Sequence, residues 1–175
     1  MAVIKIIRKN IPYYALCCAI IGITAVIYHR VGPDKAMRYI LAPYAKCVEL
    51  FMNIYMSYIE GVGYSTPGLL FTIGENCSGL NYMAALFGMT GIMFVHKLPE
   101  NRKLLWVALC APGSAAVGVV MTALRIIGSI PIVGYARFST LHAGIGISFY
   151  LAGMILCYLA AENVLRRMGR VIADG

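Results

Sequence analysis

Charge is what this sequence has least of. Only 13% of its residues are Asp, Glu, Lys or Arg, against about 25% in an ordinary soluble domain. That scarcity excludes a water-soluble fold, whose surface would lack the charge to cover it. Nor does the chain contain a P-loop, a zinc-ligand cluster or a dinucleotide fingerprint. Internal repeats and low-complexity tracts are absent too, which removes solenoids and disordered tails. Paired histidines or clustered carboxylates inside an apolar run are also missing, which disfavours a metal-dependent intramembrane protease. Neither a metal nor a cofactor is expected.

What is there is apolar. Hydrophobic residues make up 61% of the 175, the mean hydropathy is +0.78, and the apolar residues gather into long runs. Five stretches approach the roughly 20 residues that a bilayer core requires: 11–28, 38–59, 79–95, 104–124 and 141–165. The expectation is an all-α polytopic membrane protein, one integral membrane domain over 1–175, multi-pass in the plasma or inner membrane. The first stretch resembles a signal peptide, with Lys5, Arg8 and Lys9 ahead of it. Its apolar core is too long for one, and no small-residue cleavage site precedes His29 and Arg30, so a retained helix is expected. The second carries Lys46 and Glu49, three residues apart on one helical face, placed to pair or to face other helices. The net charge of +8 sits in short groups at the ends of apolar runs, where orientation signals belong, and does not form a nucleic-acid-binding stripe.

Lys97, Arg102 and Lys103 follow the third stretch, and Arg166, Arg167 and Arg170 follow the fifth. The positive-inside rule puts both groups in the cytoplasm. Cys77, Arg125 and His142 then fall at the outer ends of three successive helices. The amino-terminal half stays open: Lys5, Arg8 and Lys9 balance Arg30, Lys35 and Arg38. If the second stretch spans, the amino terminus is outside; if it lies flat on the outer surface, the amino terminus is inside. Turn residues fill 61–68, between 55–59 and 69–73, and predict a small hairpin capping the outer face.

Cys17, Cys18, Cys47, Cys110 and Cys157 lie within apolar runs, where a thiol packs as a small hydrophobe. Cys77 alone lies in a polar loop, just before a helix, with Ser78 a candidate N-cap and Asn81 at the third helical position. Helix-terminal amides and a nearby Arg125 would lower its pKa from about 8.5. His142 has the chemistry to take the thiol proton and return it to a leaving amine. The amides and Arg125 suit an oxyanion. Each residue has a plainer reading: Arg125 snorkelling to headgroups, His142 capping a helix, Cys77 a mere loop thiol. The conjunction points to acyl transfer through a cysteine thioester.

The strings Asn76-Cys77-Ser78-Gly79-Leu80-Asn81-Tyr82, Ala123-Leu124-Arg125-Ile126 and Leu141-His142-Ala143-Gly144-Ile145-Gly146 resemble the exosortase/archaeosortase family. Leu41-Ala42-Pro43 and Glu60-Gly61-Val62-Gly63-Tyr64 are similar to its upstream segment. The short length looks most like the compact exosortase K type. Many members carry asparagine three residues before the arginine; here that position is Thr122.

The resemblance implies a membrane-embedded cysteine transpeptidase acting at the outer surface. Its substrates would be exported proteins with a carboxy-terminal motif, transmembrane helix and basic tail. Cys77 would be the nucleophile, His142 the acid/base and Arg125 the stabiliser of oxyanion or thiolate. Asn76, Ser78, Gly79, Asn81 and Thr122 would support the site or the substrate. A lipid or glycan amine would be the acceptor. The segments 61–68 and 135–140 flank the site and are placed to meet the sorting motif. The rival reading is a non-enzymatic transport or assembly subunit whose Gly144, Gly146 and Gly153 permit close helix contact.

Overall fold

Backbone groups in hydrocarbon must be satisfied within their own segment, so long apolar runs become helices. A computed structural model describes all residues except 1, 32, 70, 133–137 and 174–175, and all side chains except those of 1–6, 32, 33, 69, 70, 76, 132–140 and 169–175. The helices are α1 (Ala2–Val31), α2 (Pro33–Met52), α3 (Leu80–Val95), α4 (Glu100–Ser129) and α5 (Phe138–Ala173). Between α2 and α3 lie three short strands: β1 (Ser57–Ile59), β2 (Gly63–Ser65) and β3 (Thr72–Ile73).

Among the described residues, three segments are long and apolar enough to cross a membrane: Ile7–Val31, Glu100–Ser129 and Leu141–Met168. Leu80–Val95 is a shorter apolar helix. It packs against α1, α4 and α5 and buries Leu86, Phe87, Phe94 and Val95. Cys17 of α1, Phe87 and Val95 of α3, and Val107 of α4 form one buried cluster. Helices α1, α4 and α5 outrun the expected 11–28, 104–124 and 141–165, because their charged ends continue the helix beyond the apolar stretch.

The second stretch differs from expectation. Its helix stops at Met52, Asn53 takes a left-handed φ of 51°, and 57–59 is strand. Asparagine tolerates that conformation better than most side chains. Glu49 then captures the returning chain, accepting from the Met56 amide at 2.8 Å while pairing with Lys46 at 2.6 Å. Both contacts hold the Glu49 carboxyl below the usual carboxylate range. Five charged residues (Asp34, Lys35, Arg38, Lys46 and Glu49) keep α2 from being apolar enough to span.

The expected hairpin is also more elaborate. The turn-rich 61–68 holds a strand of its own, β2, paired antiparallel with β1 through Tyr58↔Tyr64 and with β3 through Ser65↔Thr72. Tyr58 and Tyr64 donate hydroxyls to the Asp34 and Arg38 carbonyls of α2. Helix and sheet form one unit whose core joins Met37, Leu41, Tyr44 and Val48 to Met56, Ile73 and Ile126 of α4. Each such fully buried side chain is worth about 1.5–3 kcal/mol.

Side-chain contacts at both ends of α1 fix its direction relative to the rest. Near its start, Asn10 accepts from the buried Lys103 ammonium at 2.7 Å. Lys103 also pairs with Glu100 at 2.8 Å and lies over the Tyr13 ring. Near its other end, the Tyr28 hydroxyl donates to Glu75 at 3.0 Å, two residues from Cys77. The start of α1 therefore lies with the α3–α4 connection, and its end lies at the Cys77 rim. Because Lys103 is only 3% exposed, Lys103→Ala should cost about 2 kcal/mol of stability. Lys9 also reaches Glu100 but is 66% exposed, so Lys9→Ala should cost under about 0.5 kcal/mol. Thermal unfolding in detergent checks the contrast.

Candidate active site

Cys77 closes a 3-10 turn, Glu75–Cys77, its amide donating to the Gly74 carbonyl at 2.9 Å. The chain must then turn sharply into α3, and Gly79 does so at φ 63°, a conformation that favours glycine. The buried Thr122 of α4 also stands so close that a Cβ on Gly79 would clash with its hydroxyl. From the other side, the Tyr44 hydroxyl of α2 donates to the Ser78 carbonyl at 2.7 Å. The cysteine loop is held between α2 and α4.

Two expectations for this loop give way. Gly79, not Ser78, occupies the cap position of α3, because the chain needs the left-handed turn there. Asn81 is consequently the second helical residue, with an exposed side chain, and the Asn76 side chain lies outside the described residues. Nor is the thiol acidified. Cys77 packs against the core shared by α2 and the sheet, and burial pushes its thiol above the ordinary value. The Arg125 charge and a backbone hydrogen bond from Gly74 pull it down without prevailing.

Arg125, one turn beyond Thr122, meets His142 of α5 directly: Nη2 lies 2.9 Å from Nε2. A guanidinium has no acceptor, so His142 Nε2 must offer its lone pair. Arg125 Nη1 donates to the Tyr150 hydroxyl at 3.0 Å, with the Tyr150 ring beneath the guanidinium and stacked on Tyr82. Tyr150 also lies 3.5 Å from Thr122 Oγ1, so threonine does contribute a polar contact at the position where asparagine is common. The other His142 nitrogen, Nδ1, lies 2.9 Å from Ser129 Oγ. Arg125 can lie flat on α5 because Gly146 is there; a Cβ on it would come 2.7 Å from Nε. Among the described residues, that buried Nε has no hydrogen-bond partner.

Arg125 and His142 are therefore in contact, and the Cys77 loop adjoins them through Gly79 and Thr122. Sequence reasoning missed Ser129, Tyr150 and Tyr44. Helical spacing carried a signal for the first two: 122, 125 and 129 share one face of α4, and 142, 146 and 150 share one face of α5. The side chains of 135–140 lie outside the described residues.

The transmembrane exosortase (Exosortase_EpsH) family model matches residues 43–159, well over half of the chain, and takes in every residue of this cluster. The chain belongs to that family. No curated protein and no solved structure matches it. In this exosortase the matched segment begins within α2 and ends within α5, so α1 precedes it.

Alkylation of Cys77 by iodoacetamide, followed by mass spectrometry of its peptide, should report the partly buried thiol. Its rate should rise with pH through a midpoint above the ordinary cysteine value of about 8.5. Arg125→Ala removes the charge that pulls the thiol down, so the midpoint should move further up. A midpoint below that of a free cysteine would contradict the burial argument.

Proposed function

We propose that this exosortase, of the compact K type, is a cysteine transpeptidase that cleaves carboxy-terminal sorting signals of exported proteins. The supporting observation is the Arg125–His142 hydrogen bond beside the Cys77 loop. A substrate carbonyl entering between them meets a nucleophile, a base and a cation. In the resting geometry Arg125 covers the lone pair that His142 needs as a base. A carbonyl oxygen becoming negative is a better acceptor, so the guanidinium turns to it and uncovers Nε2 as the charge develops.

The thiol proton passes to His142 Nε2 while sulfur bonds to the scissile carbon. Collapse of the tetrahedral adduct breaks the C–N bond, and His142 returns the proton to the departing amine. The hydrophobic tail leaves in the membrane. An amine of a lipid or glycan acceptor then attacks the thioester, gives its proton to His142 and frees the Cys77 sulfur. A substrate confined by its own helix to the same membrane is already partly positioned.

The orientation follows from charge. With Lys97 and Arg102 beside α3, and Arg166 and Arg167 near the end of α5, the α3–α4 connection is cytoplasmic. The Asn10–Lys103 contact supports a cytoplasmic amino terminus on the same reading. Helices α1, α3, α4 and α5 cross the membrane, while α2 and the sheet form an extracytoplasmic cap over Cys77.

Co-expression with a protein ending in a motif, helix and basic tail tests the reading. Cys77→Ala should abolish processing, and Arg125→Ala and His142→Ala should each slow it by about 100-fold or more. Processing left intact in all three variants would overturn the enzyme reading in favour of a transport or assembly subunit.

A further inference from the structure

The imidazole of His142 is gripped at both nitrogens by side chains one turn apart on α4. Arg125 Nη2 meets Nε2 and Ser129 Oγ meets Nδ1, each at 2.9 Å. Ser129 is itself buried, and its hydroxyl donates to the Arg125 carbonyl at 2.7 Å. With that proton committed, Oγ is left only as an acceptor toward the ring, so Nδ1 must carry a hydrogen. Arg125, which only donates, demands the same tautomer from the opposite side.

We propose that Ser129 is a positioning residue that holds His142 as the Nδ1–H tautomer, with the basic Nε2 turned toward Arg125. This deepens the transpeptidase reading and rests on it for its catalytic meaning. The tautomer itself follows from the hydrogen bonds alone. When Nε2 takes the Cys77 proton, the Nδ1–H···Ser129 bond stays in place, and the ring need not turn to release the proton to the leaving amine. The orienting group is neutral, so it fixes the ring without adding a carboxylate beside an oxyanion. Because Ser129 and Arg125 share one helical turn, tautomer and guanidinium position are set together.

Long-range 1H–15N correlation on histidine-labelled protein in detergent reads the tautomer directly, with the His142 signals assigned by their loss in His142→Gln. The wild type should show Nδ1 protonated and Nε2 bare. Because Arg125 alone favours the same tautomer, the part played by Ser129 is read in Arg125→Ala, which keeps the backbone carbonyl that takes the Ser129 proton. Nδ1 should stay protonated there, and adding Ser129→Ala should give a tautomer mixture, as should adding Ser129→Cys, which carries the test if the alanine variant fails to fold. Ser129→Thr should restore the wild-type pattern. In the processing assay, Ser129→Ala should lower kcat roughly tenfold or more with KM unchanged, part of the ~10²–10⁴ that a positioned acid–base contributes. An unchanged tautomer when Ser129→Ala or Ser129→Cys is added to Arg125→Ala, or a KM effect alone for Ser129→Ala, overturns the proposal. Processing that survives Cys77→Ala overturns the transpeptidase reading instead and leaves the tautomer result standing.

Discussion

The guanidinium of Arg125 sits near the end of α4, after an uncharged run from Leu104 to Leu124, and the surrounding structure follows from keeping that permanent charge solvated by protein. Its terminal nitrogens reach Tyr150 and His142, both on α5. Those contacts require α5 to lie close against α4, and Gly146 supplies the space. Residues 142, 146 and 150 thus recur at four-residue intervals because one cation must be met by a ring nitrogen, a bare backbone and a phenol. The packing of α4 on α5 and the assembly of the cluster are a single constraint. Thr122, one turn back, extends it to the cysteine loop by touching Gly79.

The same constraint explains what the sequence made legible. A helix in hydrocarbon announces itself by length, so α1, α4, α5 and the short α3 were readable from apolar runs. Cys77, Arg125 and His142 were readable as reactive side chains at the ends of those runs. The region 38–59 misled because its apolar residues continue without a break across two kinds of structure. Lys46 and Glu49 were the clue: their charges belong to a helix that ends at Met52, and Glu49 binds the Met56 amide where helix gives way to strand. Strand β2 was hidden because Gly61, Gly63, Pro67 and Gly68 made its surroundings look like one long turn. Ser129 and Tyr150 lay on the right helical faces, but serine and tyrosine in an apolar helix carry no mark of their partners.

The thiol's acidity was not legible because it depends on burial. Reading Cys77 as a helix-start cysteine predicted a stabilised thiolate. In the fold, α2 and the sheet cover that side of the loop, and desolvation outweighs the Arg125 charge and the Gly74 backbone hydrogen bond. This cover exists because α2 ends at Met52 and the chain returns as the sheet. The cap and the nucleophile's protonation state are therefore linked through one apolar core.

A partly buried neutral thiol is a slow nucleophile by itself, and the covered imidazole is a poor base by itself. In the proposed reaction both conditions would be relieved together, once an arriving oxygen drew Arg125 away from His142. This suits thioester chemistry in which an acceptor amine must compete with water, since a cover that excludes solvent from Cys77 also slows hydrolysis of the acyl intermediate. The cap that makes the free thiol less reactive would then favour transfer over hydrolysis. On that account α2 belongs to the chemistry as much as the helices that carry the three reactive side chains.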